Sequence, residues 1–274
     1  MKTVRLPDGE HVPALGQGTW RMGENRQARK DEIAALRLGI ELGMTLIDTA
    51  EMYGEGGAEE IVGEAIADQR ERVFIVTKVY PHNASRNELP KACERSLKRL
   101  KIDSIDLYLL HWRGDIPLGE TVTAFQKLRD QGKIRRWGVS NFDVDDMEEL
   151  GDARCSANQV LYNLEERAIE SGVLPWCRDR QIPIMAYAPV GHGRGLLDNR
   201  ALKQIAKSHD ATPAQIALVW LLQQPNVIVI PKAASQEHVR ENAASRKMDL
   251  TESELAELER AFPPPKSKQP LPML

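Results

Sequence analysis

The strongest constraint on how this chain can fold is a strict alternation of short apolar runs with longer stretches of helical periodicity. The runs fall at residues 15–20, 45–50, 73–79, 105–111, 134–140, 158–161, 182–188 and 227–231. Helical patterns separate or follow them at 29–42, 58–67, 88–100, 120–131, 144–150, 169–180, 202–209 with 213–223, and 236–244. In the first, Ile33, Leu36 and Ile40 share one helical face. Alternating strand and helix units imply a parallel sheet. The strands are nearly continuous in apolar character, as expected when helices cover the sheet. Eight such units in about 250 residues fit a closed (β/α)₈ barrel better than an open sheet. Residues 1–274 read as one domain, because no linker or shift in composition divides them. A turn-linked hairpin precedes the barrel. Thr212 with Pro213 marks a helix start, and Thr251 to Glu254 forms a capping box for a last helix. The tail from Pro263 to Leu274 is too proline-rich for a helix and is expected to lie on the surface or move freely.

Composition narrows the function classes. A net charge of -3 over 274 residues gives no electrostatic case for a nucleic-acid or membrane partner. No apolar run reaches the roughly 20 residues of a membrane span. Three cysteines, Cys93, Cys155 and Cys177, are far apart in sequence and argue for a reducing compartment, hence a cytoplasmic location. The six histidines have no metal-ligand spacing, and no metal is expected. Nucleophile elbows, P-loops and a strand-linked G-x-G-x-x-G are absent from the sequence.

In a barrel, residues at the C-terminal strand ends face the active site. The polar residues there are Asp48, with Tyr53 in the next loop; Lys78; His111; Ser140 and Asn141; Gln159; Tyr187; and Lys232. Lys78 in "FIVTKV" is costly in an apolar strand unless paired. Asp48, on the neighbouring strand, is the expected partner. A Tyr–Lys–Asp chain suits a general acid, since an adjacent ammonium favours phenolate and is expected to lower the Tyr53 pKa. His111 can orient a carbonyl by donating to its oxygen. An acid of this kind serves carbonyl reduction, and the hydride must come from a cofactor.

The segments "GQGTW", "LIDTAEMYG", "VTKV", "DLYLLHW", "GKIRRWGVSNF", "NQVLYN" and "IPKA" stand in the order seen in aldo-keto reductases. From Leu15 to about Phe262 the chain resembles that family, and among its members the bacterial methylglyoxal reductase type. The resemblance implies a (β/α)₈ barrel holding NADPH in extended form, with Asp48, Tyr53, Lys78 and His111 as a catalytic tetrad. Ser140, Asn141 and Gln159 would bond the nicotinamide carboxamide, and Tyr187 would stack on its ring. The loop of Ala188, Pro189, Val190, Gly191, Gly193 and Leu196 would cross the pyrophosphate. Gly18, Thr19 and Trp20 would lie near nicotinamide and substrate. Trp20, Tyr53, His111, Trp112 and Phe142 would wall the substrate pocket. Ile230, Lys232, Ala233, His238 and Asn242 would hold the adenosine end, Lys232 on the 2′-phosphate and Asn242 on the adenine. Relatives often carry serine or threonine where Ala233 stands and arginine where His238 stands. This departure leaves NADH as an alternative to NADPH.

Short loops and a short tail predict an open pocket for small aldehydes and ketoaldehydes, and the resemblance implies a monomer. Two alternatives stay open: a reductase for a particular sugar or keto acid, and a slow redox-sensing subunit that binds cofactor.

Overall fold

In the computed structural model, which describes residues 2–151, 154–192 and 195–274, the predicted alternation becomes a barrel. Strands β1 (Thr3–Arg5) and β2 (His11–Pro13) pair antiparallel as the expected hairpin. Eight parallel strands follow: β3 (Gln17–Gly18), β4 (Leu46–Asp48), β5 (Phe74–Val79), β6 (Ile105–Leu110), β7 (Ile134–Ser140), β8 (Asn158–Leu161), β9 (Ile184–Tyr187) and β10 (Val227–Val229). Their spatial order is their sequence order. The first and last then meet: Leu15 bridges Val229, Gly18 bridges Lys232, and the Gly16 N–H donates to the Val229 carbonyl at 2.8 Å. Closure is tight enough to require glycine, because a Cβ on Gly18 would lie 2.9 Å from the Ile230 carbonyl oxygen.

The helices are α1 (Arg29–Glu41), α2 (Gly57–Ala65), α3 (Glu88–Leu100), α4 (Leu118–Asp130), α5 (Val144–Glu149), α6 (Val173–Asp179), α7 (Arg200–Ser208), α8 (Pro213–Gln223), α9 (Gln236–Ala244) and α10 (Glu252–Ala261). The predicted helix start at Thr212 and capping box at Thr251 both form, and Thr212 also makes a capping box with Gln215. The expected helix 169–180 is interrupted at Gly172 (φ -155°, ψ -74°), which separates a short 3₁₀ turn from α6. Every residue of β5 and β6 is buried, which accounts for their largely apolar sequence.

The two chain ends lie at opposite ends of the barrel. The hairpin plugs the N-terminal end: Val4, Leu6 and Val12 are buried, and Arg136 near the start of β7 pairs with Asp8 and Glu10. The tail is not helical, and it runs along the surface as one of the two expectations had it. Leu271 packs against the core, and the Leu274 amide comes within 3.5 Å of Tyr187 Oη. The tail thus reaches the C-terminal mouth of the barrel, closer to the site than its length suggested.

Candidate active site

Strand register brings the tetrad together. Asp48 pairs with Val76, and Lys78, two residues on, points to the same inner side of the barrel. Lys78 is fully buried, and each of its three donors has a partner: Asp48 Oδ2 at 2.8 Å, the Thr49 carbonyl at 2.8 Å and Tyr53 Oη at 3.3 Å. Asp48 has a second donor, Gln159 Nε2, at 2.7 Å from Oδ1. His111 meets the Tyr53 ring edge-on with centroids 5.8 Å apart. Asp48, Tyr53, Lys78 and His111 therefore form one cluster at the open end.

The electrostatics follow from burial and pairing. Burial opposes the charge on Lys78, but Asp48 and Tyr53 outweigh it and hold the ammonium above the ordinary lysine pKa. Burial likewise raises Asp48 against the opposing pull of Lys78 and Gln159. Tyr53 corrects the expectation of a lowered phenol. Burial raises its pKa, and the Asp48 charge adds to that rise, so Lys78 offsets only part of it. A carboxylate and an ammonium side by side present little net charge to the phenol. Tyr53 is thus a protonated phenol at neutral pH, with a cation in place to receive the phenolate. Burial and the Lys78 charge push His111 well below the ordinary histidine value, so its ring is neutral.

The surrounding residues divide into three groups. Around the nicotinamide positions predicted from the sequence, Ser140, Asn141 and Gln159 lie together at the mouth, but their polar atoms are partly engaged. Asn141, held at φ +60°, donates to the His111 carbonyl at 3.2 Å and accepts from Tyr187 Oη at 2.9 Å. Gln159 has committed its amide nitrogen to Asp48 and leaves its carbonyl oxygen for another donor. Gly18 and Thr19 close the barrel beside Asp48, whose carbonyl accepts from Thr19 Oγ1 at 3.0 Å.

At the outer positions, Ala188 starts its loop at φ +47°, and its carbonyl accepts from Asn163 Nδ2 and the Gly191 N–H, both at 3.0 Å. Pro189 and Leu196 are buried, and Val190 is half-buried. Gly193 lies outside the described residues. Lys232 is exposed and has no carboxylate partner among the described residues. Ile230 and Asn242 are buried, Ala233 is half-buried, and His238 is exposed in the first turn of α9.

Of the residues expected to wall the substrate pocket, Phe142 lies elsewhere. Phe142 is fully buried in the core and cannot touch a substrate, because the chain turns inward after Asn141 and the Phe142 carbonyl accepts from Asn158. An aromatic row runs on from His111 instead: His111 lies 4.9 Å from Trp112, Trp112 stands edge-on to Tyr80 at 6.0 Å, and Tyr80 stacks on His82 at 4.7 Å. Trp20 is 38% exposed and contacts His192 at 5.1 Å. The sequence reading did not single out Tyr80, which lies past the end of β5, where strand alternation gives no signal. It also missed the Thr49 carbonyl, which has no signal in side-chain identity. Among the described residues, no group of three or more His, Cys, Asp or Glu could hold a metal ion.

The model of the aldo/keto reductase family matches residues 14–262. The chain belongs to that family. It is an oxidoreductase, 52% identical to the methylglyoxal reductase YeaE of Escherichia coli (strain K12), with 100% of this chain and 99% of the relative covered. A glyoxal reductase of Bacillus subtilis (strain 168) is 34% identical, over 94% of this chain and 91% of its own length. Among solved structures, an aldo/keto reductase from Klebsiella pneumoniae in complex with NADP and acetate superposes with a TM-score of 0.97 at 51% identity, covering 100% and 99% of the two chains. For this aldo/keto reductase, the agreement extends over the whole barrel.

Proposed function

We propose that the chain reduces small aldehydes and ketoaldehydes, methylglyoxal among them, to alcohols, with NADPH as hydride donor and Tyr53 as general acid. The observation that carries this reading is the Lys78 ammonium, fully buried and bonded at once to Asp48 and Tyr53. A purely structural ion pair needs no phenol at the open end. The methylglyoxal and glyoxal reductase relatives support the substrate class, and the NADP-bound Klebsiella structure supports the cofactor.

The residues present fit a dinucleotide phosphate. Gln159 keeps a carbonyl oxygen free for a carboxamide N–H, and Asn141 and Ser140 stand beside it. Tyr187 offers a ring at the mouth. Lys232, without a carboxylate partner among the described residues, suits a phosphate near the N-terminus of α9. When bound, NADPH supplies the hydride. The protein's own work is proton delivery and orientation. Tyr53 Oη gives its proton to the carbonyl oxygen as charge develops there, and Lys78 stabilises the phenolate left behind. His111 Nδ1 is buried without a partner, and orphaned buried N–H groups are rare, so the ring proton belongs on Nε2. There it donates to the same carbonyl oxygen. Trp20, Tyr80 and Trp112 exclude water and hold a small substrate.

The test is a panel of carbonyl substrates with NADPH consumption as readout, ranked by kcat/KM and repeated with NADH. Methylglyoxal and short aldehydes are expected to turn over, with NADPH favoured roughly tenfold or more through the Lys232 contact, a charged hydrogen bond being worth about 1.5–3 kcal/mol. Absence of turnover across the panel would refute the reading. Equal use of both cofactors would favour a dual-cofactor enzyme, the reading to which Ala233 and His238 point.

A further inference from the structure

Glu51 lies between Asp48 and Tyr53 in the sequence, and the reaction as described does not use it. Its carboxylate is nonetheless buried, with the residue 7% exposed. A buried carboxylate is costly unless its partners compensate, so those partners are informative. Its own N–H donates to the Lys78 carbonyl at 3.2 Å. Oε1 accepts from the Tyr80 N–H at 2.8 Å and from Asn83 Nδ2 at 3.0 Å. Arg95 of α3 stands 3.6 Å from Oε2, without a hydrogen bond, and is largely solvated. Tyr80 lies just past the end of β5, where the strand ladder no longer supplies an acceptor. One residue therefore fastens the loop that carries Tyr53 to the chain that leaves Lys78, through backbone and side chain together.

Two functional distances depend on that fastening. Lys78 Nζ and Tyr53 Oη, 3.3 Å apart, come from these two segments. The Tyr80 ring, whose backbone Glu51 holds, continues the aromatic row from His111 through Trp112. A displacement of about 1 Å at a reacting group can cost on the order of 10²-fold in rate.

We propose that Glu51 is a positioning residue for carbonyl reduction. Its carboxylate holds the turn from Tyr80 to Asn83 against the Tyr53 loop, setting both the Lys78–Tyr53 contact and the substrate wall. The kinetic part of this inference rests on Tyr53 acting as the acid. The role belongs to hydrogen-bond acceptance and not to charge, so a neutral amide should serve and loss of the Arg95 ion pair should not matter.

The full-length variants E51Q, E51A, N83A and R95M would be compared in initial rates with methylglyoxal and NADPH, in NADPH affinity, and in amide hydrogen exchange. E51Q, which keeps an acceptor for the Tyr80 N–H, is expected to retain kcat/KM within about threefold, as is R95M. E51A is expected to lose about thirtyfold or more, split between a lower kcat and a higher KM for the carbonyl, while NADPH affinity changes less than about twofold. Exchange over residues 50–54 and 79–84 should rise about tenfold in E51A and stay unchanged in E51Q. Should E51A fail to fold, N83A, which removes a single donor, carries the test with an expected loss of about three- to tenfold. Wild-type kinetics in E51A, or in N83A where E51A is unfolded, would overturn the proposal. So would equal damage in E51Q and E51A, or unchanged exchange. Exchange is read without turnover, so a protein inactive on every carbonyl would sink the functional reading while leaving the brace itself open to confirmation or refutation.

Discussion

Thr77 and Lys78, neighbours on β5, reach two buried carboxylates on opposite sides of the strand. Outward, Thr77 Oγ1 donates to Glu59 Oε1 of α2 at 2.6 Å, and Arg99 Nε of α3 donates to Glu59 Oε2 at 2.6 Å. Inward, Lys78 donates to Asp48. Burial raises the carboxyl pKa in both, a neighbouring cation opposes it in both, and both end above their ordinary values. Neither burial nor pairing distinguishes them. What differs is the far side of each cation. Beyond Lys78 lies the Tyr53 phenol at the mouth of the barrel. Arg99 packs instead against Gly56, where a Cβ would fall 2.6 Å from its Cδ and Nε, and it fastens α3 to α2. A buried ion pair becomes a site when its cation also touches a proton that can leave.

The largest expected effect breaks this comparison at that proton. Tyr53→Phe should lower kcat by about 10³-fold, within the range typical of a lost general acid, with little change in thermal stability. Glu59→Gln should leave kcat within about twofold, since the outer pair touches no reacting atom. Steady-state kinetics of the two purified variants decide the matter. An equal loss in both would erase the distinction between chemical and structural pairs.

Stability should separate the two pairs by the burial of their cations, although both carboxylates are buried. Asp48→Asn leaves Lys78 charged, fully buried and short of its counter-charge, at a cost of about 3–5 kcal/mol. Glu59→Gln leaves Arg99, whose side chain is 21% exposed and can take up water, at a cost of about 1–3 kcal/mol. Urea unfolding of both variants at neutral pH measures the gap. A Glu59→Gln cost equal to or above that of Asp48→Asn would show that solvent access to the cation does not set the scale.

The two pairs also differed in how far they could be read in advance. Lys78 was legible because a lysine in "FIVTKV" conflicts with its neighbours, and the conflict demands a partner on the next strand. The barrel was legible because eight apolar runs cannot alternate with helices in many other ways. Glu59 drew no notice, since a glutamate in an amphipathic helix is ordinary until the helix rotation that buries it is known. The role of Phe142 was misread for a related reason. Past a strand end the inward–outward alternation stops, and Asn141, at φ +60°, redirects the next side chain into the core. The Tyr53 pKa was misjudged in sign, because the Lys78 charge was weighed without its Asp48 neighbour. The glycines after Tyr53 form a seat: a Cβ on Gly23 would lie 2.4 Å from the Gly57 carbonyl carbon, so the Trp20 loop can rest directly on the Tyr53 loop.

The smallest expected effect sharpens the comparison through pH. Only the inner pair has a histidine beside it. Burial and the Lys78 charge depress the His111 pKa well below its ordinary value of about 6.5. The sign follows from which state binds the proton. Below about pH 6.5 the unfolded chain protonates this histidine and the folded chain does not, so stability falls as pH falls, by at most about 1.4 kcal/mol per pH unit. Above about pH 6.5 both states are neutral at this ring and its contribution is flat. The raised carboxyls Asp48 and Glu59 act in the opposite sense, since the folded state holds their protons to higher pH. The histidine term is therefore isolated by difference. Unfolding of wild type and His111→Gln in urea at pH 7.5, 6.5 and 5.5 should give a steeper acid-side loss in the wild type, while Glu59→Gln should keep that acid-side loss. Matching slopes in wild type and His111→Gln would mean that the ring is free to protonate in the folded state. In that case kcat/KM should also acquire an acid limb near pH 6.5, which a neutral His111 rules out.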